Sequence, residues 1–335
     1  MAPGWRRVGA RKRPRYVDDA GKELADPDQL ERIRALAIPP AWRDVWVARA
    51  PRAKLQATGF DAAGRKQYLY HPAFRAQREQ LKYEKLIRFA ERLPTLRAAM
   101  AEHMELEGLP EERVAALAVS LINLGWFRVG SDRYARAHRT FGITTLRTNH
   151  VAIRGARVTF AYLGKHGIAV RSAIADAELA DAMRELRALP GSRLFRFESV
   201  DGVCDLGAAR LNAYIRTYLG DEFTAKDFRT WGGTLLAAVA FAEGPLPESE
   251  TAAKRRIAAV MRTVGENLGN TPAVARSSYV SPAVVEQYLE GRTIADFRPR
   301  HLRVVTARAT GLDPEEQATL SLLRSSRIRA ARAAA

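Results

Sequence analysis

The sequence predicts an α+β protein in which a small N-terminal antiparallel β-sheet domain precedes a larger, mainly α-helical domain. Short apolar runs of period two, broken by Gly and Pro, extend from Arg15 to about Tyr70. Beyond His71, apolar residues recur every three or four positions, which indicates helices. One later stretch, residues 150–174, returns to alternation. These observations predict a sheet domain, a helical domain and a β insertion within the second.

The sheet domain is expected over residues 1–80. Its predicted strands lie in RYVDDAGKEL, IPPAWRDVWVARAP and KLQATGFDAAGRKQYLYHP. Turn residues such as Asp19, Gly21, Gly59 and Gly64 separate the apolar runs. One short helix is predicted at DPDQLERIRALA, because its apolar residues follow a helical period.

The helical domain is expected over residues 81–335. Helical patterns occur in AQREQLKYEKLIRFAERL, PEERVAALAVSLINLGWF, GTLLAAVAFAE and ESETAAKRRIAAVMRTVGENLG. The interruption HVAIRGARVTFAYLGKHGIAVRSAI alternates apolar and polar residues around two glycine-containing turns. It predicts a three-stranded β meander inserted among the helices.

The charge of the chain points to a polyanionic partner. Its 335 residues include 54 Lys plus Arg against 37 Asp plus Glu, a formal net charge of +17. Nucleic acid is the leading candidate, although on charge alone a solvated basic surface is the alternative. The single cysteine, Cys204, excludes an intramolecular disulfide framework and suits a reducing compartment. No run reaches the roughly 20 apolar residues of a membrane helix, so we expect a cytoplasmic, nucleoid-associated protein without a membrane partner.

Several kinds of chemistry are excluded by their missing motifs. The stretch GFDAAGRKQ approaches a P-loop, but Arg65 precedes Lys66 and no Ser or Thr follows to hold magnesium, so ATP is not expected to bind there. The chain has no HExxH, no paired CxxC and no acidic cluster of the kind that a two-metal nuclease needs. If the protein acts on a phosphodiester, we expect it to use neither a metal nor a nucleotide cofactor.

Metal-free attack on a phosphodiester needs a side-chain nucleophile, donors for the non-bridging oxygens, and an acid for the leaving oxygen. Tyr279 in LGNTPAVARSSYVSP is the candidate nucleophile, because small polar residues and Arg276 surround it rather than a core pattern. Its ordinary pKa near 10 makes it a weak nucleophile unless nearby positive charge favours the phenolate.

Isolated basic residues occur in three further stretches. They are Arg128 in WFRVGSDRY, Lys165 in YLGKHG, and Lys226 with Arg229 in AKDFRTWGG. A guanidinium meets two phosphate oxygens with its planar fork, and a lysine at a hairpin tip can deliver a proton. Each also has a structural explanation when taken alone: a helix-end charge, a solubilising hairpin tip or a salt bridge.

Taken together and in this order, these residues resemble the type IB DNA topoisomerases of the short poxvirus and bacterial kind. The matching segments are FRVGSDRY, YLGKHG, KDFRTWGG and LGNTPAVARSSYVSP, with IPPAW and QATGFDAAGRKQYLYHP in the first domain. The resemblance covers roughly residues 15 to 290. It implies the catalytic fold that these enzymes share with tyrosine recombinases, a monomer, and duplex DNA held between the two domains.

The resemblance also implies roles for the catalytic candidates. Tyr279 would attack the scissile phosphate and form a 3′-phosphotyrosyl link. Arg128 and Arg229 would stabilise the charge that develops on the phosphorus oxygens, at about 3 kcal/mol per well-placed donor. Lys165 would protonate the departing 5′ oxygen, and Lys226 would be a supporting cation.

One catalytic position departs from the common family pattern. The donor nine residues before the tyrosine is often histidine, and here it is Asn270. An amide still donates a hydrogen bond but cannot carry the charge of imidazolium, so we expect the same chemistry with another pH dependence. A structural role at the helix end LGN is the alternative.

The resemblance places DNA contacts in both domains. Gln67, Tyr68 and Tyr70 match DNA-contacting positions in the first domain, and Tyr134 matches one in the second. The stretch GRKQYLY mixes cations with amide and aromatic groups, which suits contacts to phosphates and base edges. An edge strand with packed tyrosines is the alternative, weighed evenly for Tyr70.

The implied reaction is relaxation of positive and negative supercoils by transient cleavage of one strand, rotation and religation, without ATP. The nearest alternative is a tyrosine site-specific recombinase. Lys226 stands where recombinases usually carry histidine, and the N-terminal domain is predicted as strands rather than helices, so both features favour the topoisomerase. A non-catalytic architectural DNA-binding protein is a further alternative, which the intact Tyr279 disfavours.

Overall fold

The computed structural model describes residues 3–10, 13–297 and 310–334. The chain divides into two compact units, Met1–Glu84 and Lys85–Ala335. No helix in the described parts of the chain is both long and apolar enough to cross a membrane.

The first unit contains a five-stranded antiparallel sheet with the strand order β2-β1-β3-β4-β5. The strands are β1 (Gly4–Ala10), β2 (Arg13–Val17), β3 (Arg43–Ala48), β4 (Leu55–Phe60) and β5 (Lys66–Tyr70). Helix α1 (Pro27–Ala35) begins after Asp26, whose carboxylate accepts hydrogen bonds from the first-turn amides of Asp28 and Gln29. Ile33 of this helix joins Trp5 and Val47 in the core. The predicted antiparallel sheet and its short helix are therefore confirmed, whereas strand β1 precedes the region in which strands were predicted.

The second unit is mainly helical, as predicted. Helix α2 (Pro72–Met104) leads into it from the first unit. The helices that follow are α3 (Glu111–Gly125), α4 (Asp132–His138), α5 (Ala177–Ala188), α6 (Ala208–Leu219), α7 (Ala225–Ala242), α8 (Glu250–Leu268), α9 (Pro272–Ser278), α10 (Pro282–Leu289) and α11 (Pro314–Ala334). Helices α3 and α7 are apolar on most of their circumference and lie in the core, because only a buried helix tolerates such a pattern.

The inserted meander is present as a separate antiparallel sheet with the order β6-β7-β8. Its strands are β6 (Val151–Arg154), β7 (Arg157–Leu163) and β8 (Ala169–Ala175). A single 3₁₀ turn, Lys165–Gly167, joins β7 to β8. The prediction of a three-stranded meander is confirmed, and Lys165 lies at a hairpin tip as expected.

A small antiparallel hairpin, β9 (Arg196–Ser199) with β10 (Gly202–Asp205), was not predicted. Each strand has four residues, which is too short for alternation to stand out from the surrounding helical text. Gly202 turns the chain with a φ of +107°, and Cys204 lies in β10 as a partly exposed free thiol.

Candidate active site

Tyr279 follows the last residue of the short helix α9. Pro272 opens this helix, and the Thr271 hydroxyl accepts a hydrogen bond from the amide of Val274 at 3.3 Å. The amide of Tyr279 donates to the carbonyl of Ala275 at 3.0 Å. The tyrosine side chain is half-buried, and the hydrogen bond to Ala275 fixes its backbone at the helix end.

Helix α7 contacts the backbone of Tyr279 directly. A Cβ on Gly233 would lie 2.9 Å from both the Cβ and the carbonyl oxygen of Tyr279. The hydroxyl of Thr234 donates to that carbonyl at 3.1 Å and accepts from the amide of Ser281, also at 3.1 Å. The absence of a side chain at Gly233 therefore permits the approach, and Thr234 holds the tyrosine in place.

Arg229 lies one helical turn before Gly233 and is only 6% exposed. Its guanidinium donates to the carbonyl of Trp126, which caps α3, and at 2.6 Å to the carbonyl of Leu268, the last residue of α8. Helix C-termini carry partial negative charge, so two of them hold this buried cation. The guanidinium carbon lies 5.1 Å from the centre of the Tyr279 ring.

Arg128 and Asn270 are joined by a hydrogen bond. The Nη2 atom of Arg128 donates both to Asn270 Oδ1 at 2.9 Å and to the carbonyl of Gly269 at 3.0 Å. The Nδ2 of Asn270 donates to the carbonyl of Leu268 at 3.2 Å. The asparagine amide thus bridges Arg128 to the same helix end that holds Arg229, and Gly269 rather than Asn270 is the residue that caps α8.

The two lysines differ in their relation to Tyr279. Lys226 is exposed in the first turn of α7, three residues before Arg229, and its charge acts on the Tyr279 hydroxyl. Lys165 is exposed at the hairpin tip, and among the described residues no hydrogen bond or ion pair joins it to the other candidates. The structure brings Tyr279, Arg229, Arg128 and Asn270 together, places Lys226 beside them, and leaves Lys165 apart.

The electrostatics of the site favour negative charge. Burial tends to raise the pKa of Tyr279, but Arg229, Arg128 and Lys226 together outweigh it and hold the pKa below the usual tyrosine value of 10.0. Burial first, and then the charge of Arg128, lower the pKa of Arg229. An anion between the two guanidiniums would relieve their repulsion.

A cavity of about 430 Å³ lies beside the two arginines, which line it together with Tyr162. Tyr162 was not predicted as a site residue. Its only sequence signal was its position three residues before Lys165, in the same stretch YLGKHG. Sequence reasoning also missed Trp126, whose carbonyl holds Arg229 and whose indole Nε1 would lie 2.1 Å from a Cβ on Gly232. The adjacent glycines in FRTWGGT were the available signal, since a helix gains nothing from glycine unless something approaches closely.

The N-terminal candidates lie on β5, an edge strand of the first unit. Tyr68 and Tyr70 are 49% and 37% exposed, and their rings stack with centres 6.2 Å apart. The ammonium of Lys66 lies 5.8 Å from the Tyr68 ring centre. Gln67 points to the other side of the strand, where its Nε2 donates to Asp61 at 2.9 Å. The exposed face of β5 thus combines aromatic groups with a cation.

Tyr134 lies in α4 of the second unit. Its ring is 48% exposed and stands 5.8 Å from the ring of His138, one turn later in the helix. It is accessible to a ligand of this unit.

Comparison with known proteins identifies the family. Residues 71–296 match the model of the catalytic core of eukaryotic DNA topoisomerase I, and residues 14–61 match the N-terminal domain of bacterial DNA topoisomerase IB. The chain belongs to the type IB DNA topoisomerases.

Curated relatives agree with this assignment. DNA topoisomerase 1B of Acanthamoeba polyphaga mimivirus is 34% identical over 281 residues, which cover 82% of this chain and 83% of the relative. DNA topoisomerase 1B of vaccinia virus (strain Copenhagen) and DNA topoisomerase I of monkeypox virus are each 19% identical over 239 residues, covering 70% of this chain and 72% of each relative. This type IB topoisomerase is an isomerase whose substrate is DNA, and the resemblance inferred from its motifs is confirmed.

Proposed function

We propose that this topoisomerase relaxes both positive and negative supercoils by cleaving one DNA strand through a 3′-phosphotyrosyl intermediate at Tyr279. The observation that carries the proposal is the buried guanidinium of Arg229 beside the Tyr279 ring, which with Arg128 lowers the pKa of the hydroxyl. Positive charge at this point favours both the attacking phenolate and the phosphate it attacks.

In the cleavage step, Tyr279 Oη forms a bond to phosphorus while the bond from phosphorus to the 5′ oxygen breaks. The guanidiniums of Arg128 and Arg229 donate to the non-bridging oxygens, and Asn270 orients Arg128 through their hydrogen bond. Lys165 delivers a proton to the departing 5′ oxygen. Its exposure at the hairpin tip, without a partner among the described residues, leaves its ammonium available to DNA.

The covalent link conserves the energy of the broken phosphodiester, so religation needs neither ATP nor a metal ion. The free 5′ end rotates about the intact strand, and its hydroxyl then attacks the phosphotyrosine and releases Tyr279. Rotation has no preferred sense, so supercoils of both signs are removed.

We propose that both domains, residues 1–80 and 81–335, contact the duplex. The exposed face of β5 with Tyr68, Tyr70 and Lys66 supports this for the first, and the exposed Tyr134 for the second. The net charge of +17 supports binding to chromosomal DNA in the cytoplasm. We propose a monomer, since all five catalytic candidates come from one chain.

The test is relaxation of positively and negatively supercoiled plasmids in EDTA without ATP, with Tyr279→Phe alongside. The wild type is expected to relax both, whereas Tyr279→Phe binds DNA but neither relaxes it nor forms a covalent complex that survives denaturing detergent. Tyr288→Phe is the matched control, because it removes a buried tyrosine hydroxyl whose partner is the carbonyl of Pro245. A wild type that leaves both plasmids supercoiled would refute the proposal.

A further inference from the structure

Tyr162 lies in β7, next to the cavity that Arg128 and Arg229 line. Together with Arg128 and Arg229 it lines the cavity of about 430 Å³, whose other walls include Ile168 and Val170. Its ring stacks on Phe127 with centres 6.5 Å apart and planes inclined by 24°. The ring orientation is therefore set by packing, and the charges of both guanidiniums act on the hydroxyl.

The hydroxyl of Tyr162 keeps its proton at neutral pH. Burial raises its pKa to about 12, although the charges of Arg128 and Arg229 both act to lower it. Among the described residues, this hydroxyl forms no hydrogen bond with another group of the protein. It is a neutral donor that stands at the cavity beside two cations and is available to an anion.

Tyr162 and Tyr279 face the same two arginines with opposite results. The cations prevail at Tyr279 and lower its pKa, whereas burial prevails at Tyr162 and raises it. Environments that push the pKa values of two like groups apart are a common way to divide catalytic roles between them. One tyrosine is suited to attack and the other to donate a hydrogen bond.

We propose that the Tyr162 hydroxyl is a further catalytic group, which donates a hydrogen bond to a non-bridging oxygen of the scissile phosphate beside Arg128 and Arg229. The inference rests on the proposed function, because it needs a phosphate at Tyr279. No bond of Tyr162 is broken and its proton stays on the phenol. The proton of the leaving 5′ oxygen comes from Lys165, so the two residues have separable tasks.

The first test compares single-turnover cleavage of a duplex oligonucleotide by the wild type and Tyr162→Phe. Phenylalanine keeps the stacking on Phe127 and removes one oxygen, so we expect an unchanged melting temperature, unchanged DNA affinity and cleavage slower by about 10²-fold. Tyr214→Phe is the matched control, since it also removes the hydroxyl of a half-buried tyrosine with a raised pKa, in this case bonded to His103. Equal cleavage rates for wild type and Tyr162→Phe would overturn the inference.

The second test identifies the oxygen that Tyr162 contacts. In two stereoisomeric methylphosphonate substrates, one or the other non-bridging oxygen is replaced by a methyl group. With the isomer that lacks the contacted oxygen, Tyr162→Phe is expected to cause no further loss, and with the other isomer the full loss. The same loss with both isomers would overturn the inference.

The third test separates Tyr162 from the leaving-group acid. A substrate with sulfur in place of the 5′ bridging oxygen leaves as a thiolate, which needs no proton. It is expected to restore cleavage by Lys165→Ala but not by Tyr162→Phe, and restoration of Tyr162→Phe would overturn the assignment. A wild type that cleaves no substrate would instead refute the proposed function itself.

Discussion

The guanidinium of Arg229 lies 5.1 Å from the centre of the Tyr279 ring while it donates to the carbonyls of Trp126 and Leu268. This buried cation beside the proposed nucleophile is thus held by the C-terminal ends of two helices. Both acceptors belong to the protein backbone. The lowered pKa of Tyr279 is a consequence of this arrangement.

Replacing Arg229 by lysine should slow cleavage by at least about 10²-fold. An ammonium keeps the charge but lacks the planar fork that meets two carbonyls and a phosphate together. Single-turnover cleavage would measure the loss. Arg187→Lys, at an exposed position in α5, controls for the exchange itself and should match the wild type. A wild-type rate for Arg229→Lys would mean that the charge alone suffices.

The phenolate of Tyr279 should form below pH 10. Since its pKa is lowered in the folded protein, the ionised fraction and the cleavage rate should increase with pH and level off before the usual tyrosine value. Ultraviolet titration of the wild type minus Tyr279→Phe isolates this one phenol. Arg229→Gln should move its midpoint upward. A wild-type midpoint at or above 10 would contradict the electrostatic argument.

Gly233→Ala should reduce both activity and stability. Its methyl group would lie 2.9 Å from Tyr279, so the tyrosine or α7 must shift. We expect a loss of about 1–3 kcal/mol in the free energy of unfolding, despite the better helix propensity of alanine, and a clear drop in relaxation rate. Gly311→Ala, where no atom of the described residues lies within 4 Å of the new methyl group, should change neither. Normal relaxation by Gly233→Ala would show that the contact is not needed.

Glu316→Gln should destabilise the second unit by about 3 kcal/mol. Burial tends to raise the pKa of Glu316. The hydrogen bonds and charge of Arg97, together with a hydrogen bond from Trp231, lower the pKa by more than burial raises it, so the net shift is downward. The stabilisation is therefore present above the unfolded pKa of about 4.5 and is lost as the pH falls through the lowered folded value. Denaturant unfolding at several pH values would measure both effects.

The matched control for Glu316→Gln is Glu91→Gln. Glu91 also pairs with an arginine, Arg324, but both side chains are well exposed. Its replacement should cost less than about 1 kcal/mol. Similar losses for the two variants would mean that burial does not strengthen the Arg97 pair.

Tyr68→Phe combined with Tyr70→Phe should weaken DNA binding about 30-fold without slowing cleavage at saturation. Each hydroxyl hydrogen bond to DNA is worth about 1 kcal/mol. Val200→Ala, at a fully exposed apolar position, is the control. Unchanged affinity of the double variant would place the DNA contacts of the first unit elsewhere.

The DNA affinity of the wild type should fall by about 10³ between 50 and 200 mM salt if six or more phosphates are contacted.

The fold was predictable wherever a periodic pattern was long enough to read. Strands β2 to β5, the meander and helices α2, α3, α7 and α8 follow from apolar spacing. Strand β1 and helix α11 were not predicted, and β9 and β10 were too short to detect. Of the site, the burial of Arg229 was predictable from its apolar neighbours Phe228 and Trp231, and the hairpin tip at Lys165 from its glycines.

The sequence by itself determined the residue types of the site and the elements that carry them, because these depend on local spacing. Only the tertiary structure decided their neighbours. Asn270 bonds to Arg128, and Arg229 is held by the carbonyls of Trp126 and Leu268. Tyr162 lines the same cavity as Arg128 and Arg229. Backbone carbonyls have no sequence signature, and the pKa of a tyrosine is set by burial and charges from distant segments. The opposite pKa shifts of Tyr162 and Tyr279 therefore arise from packing, although both residues have the same side chain.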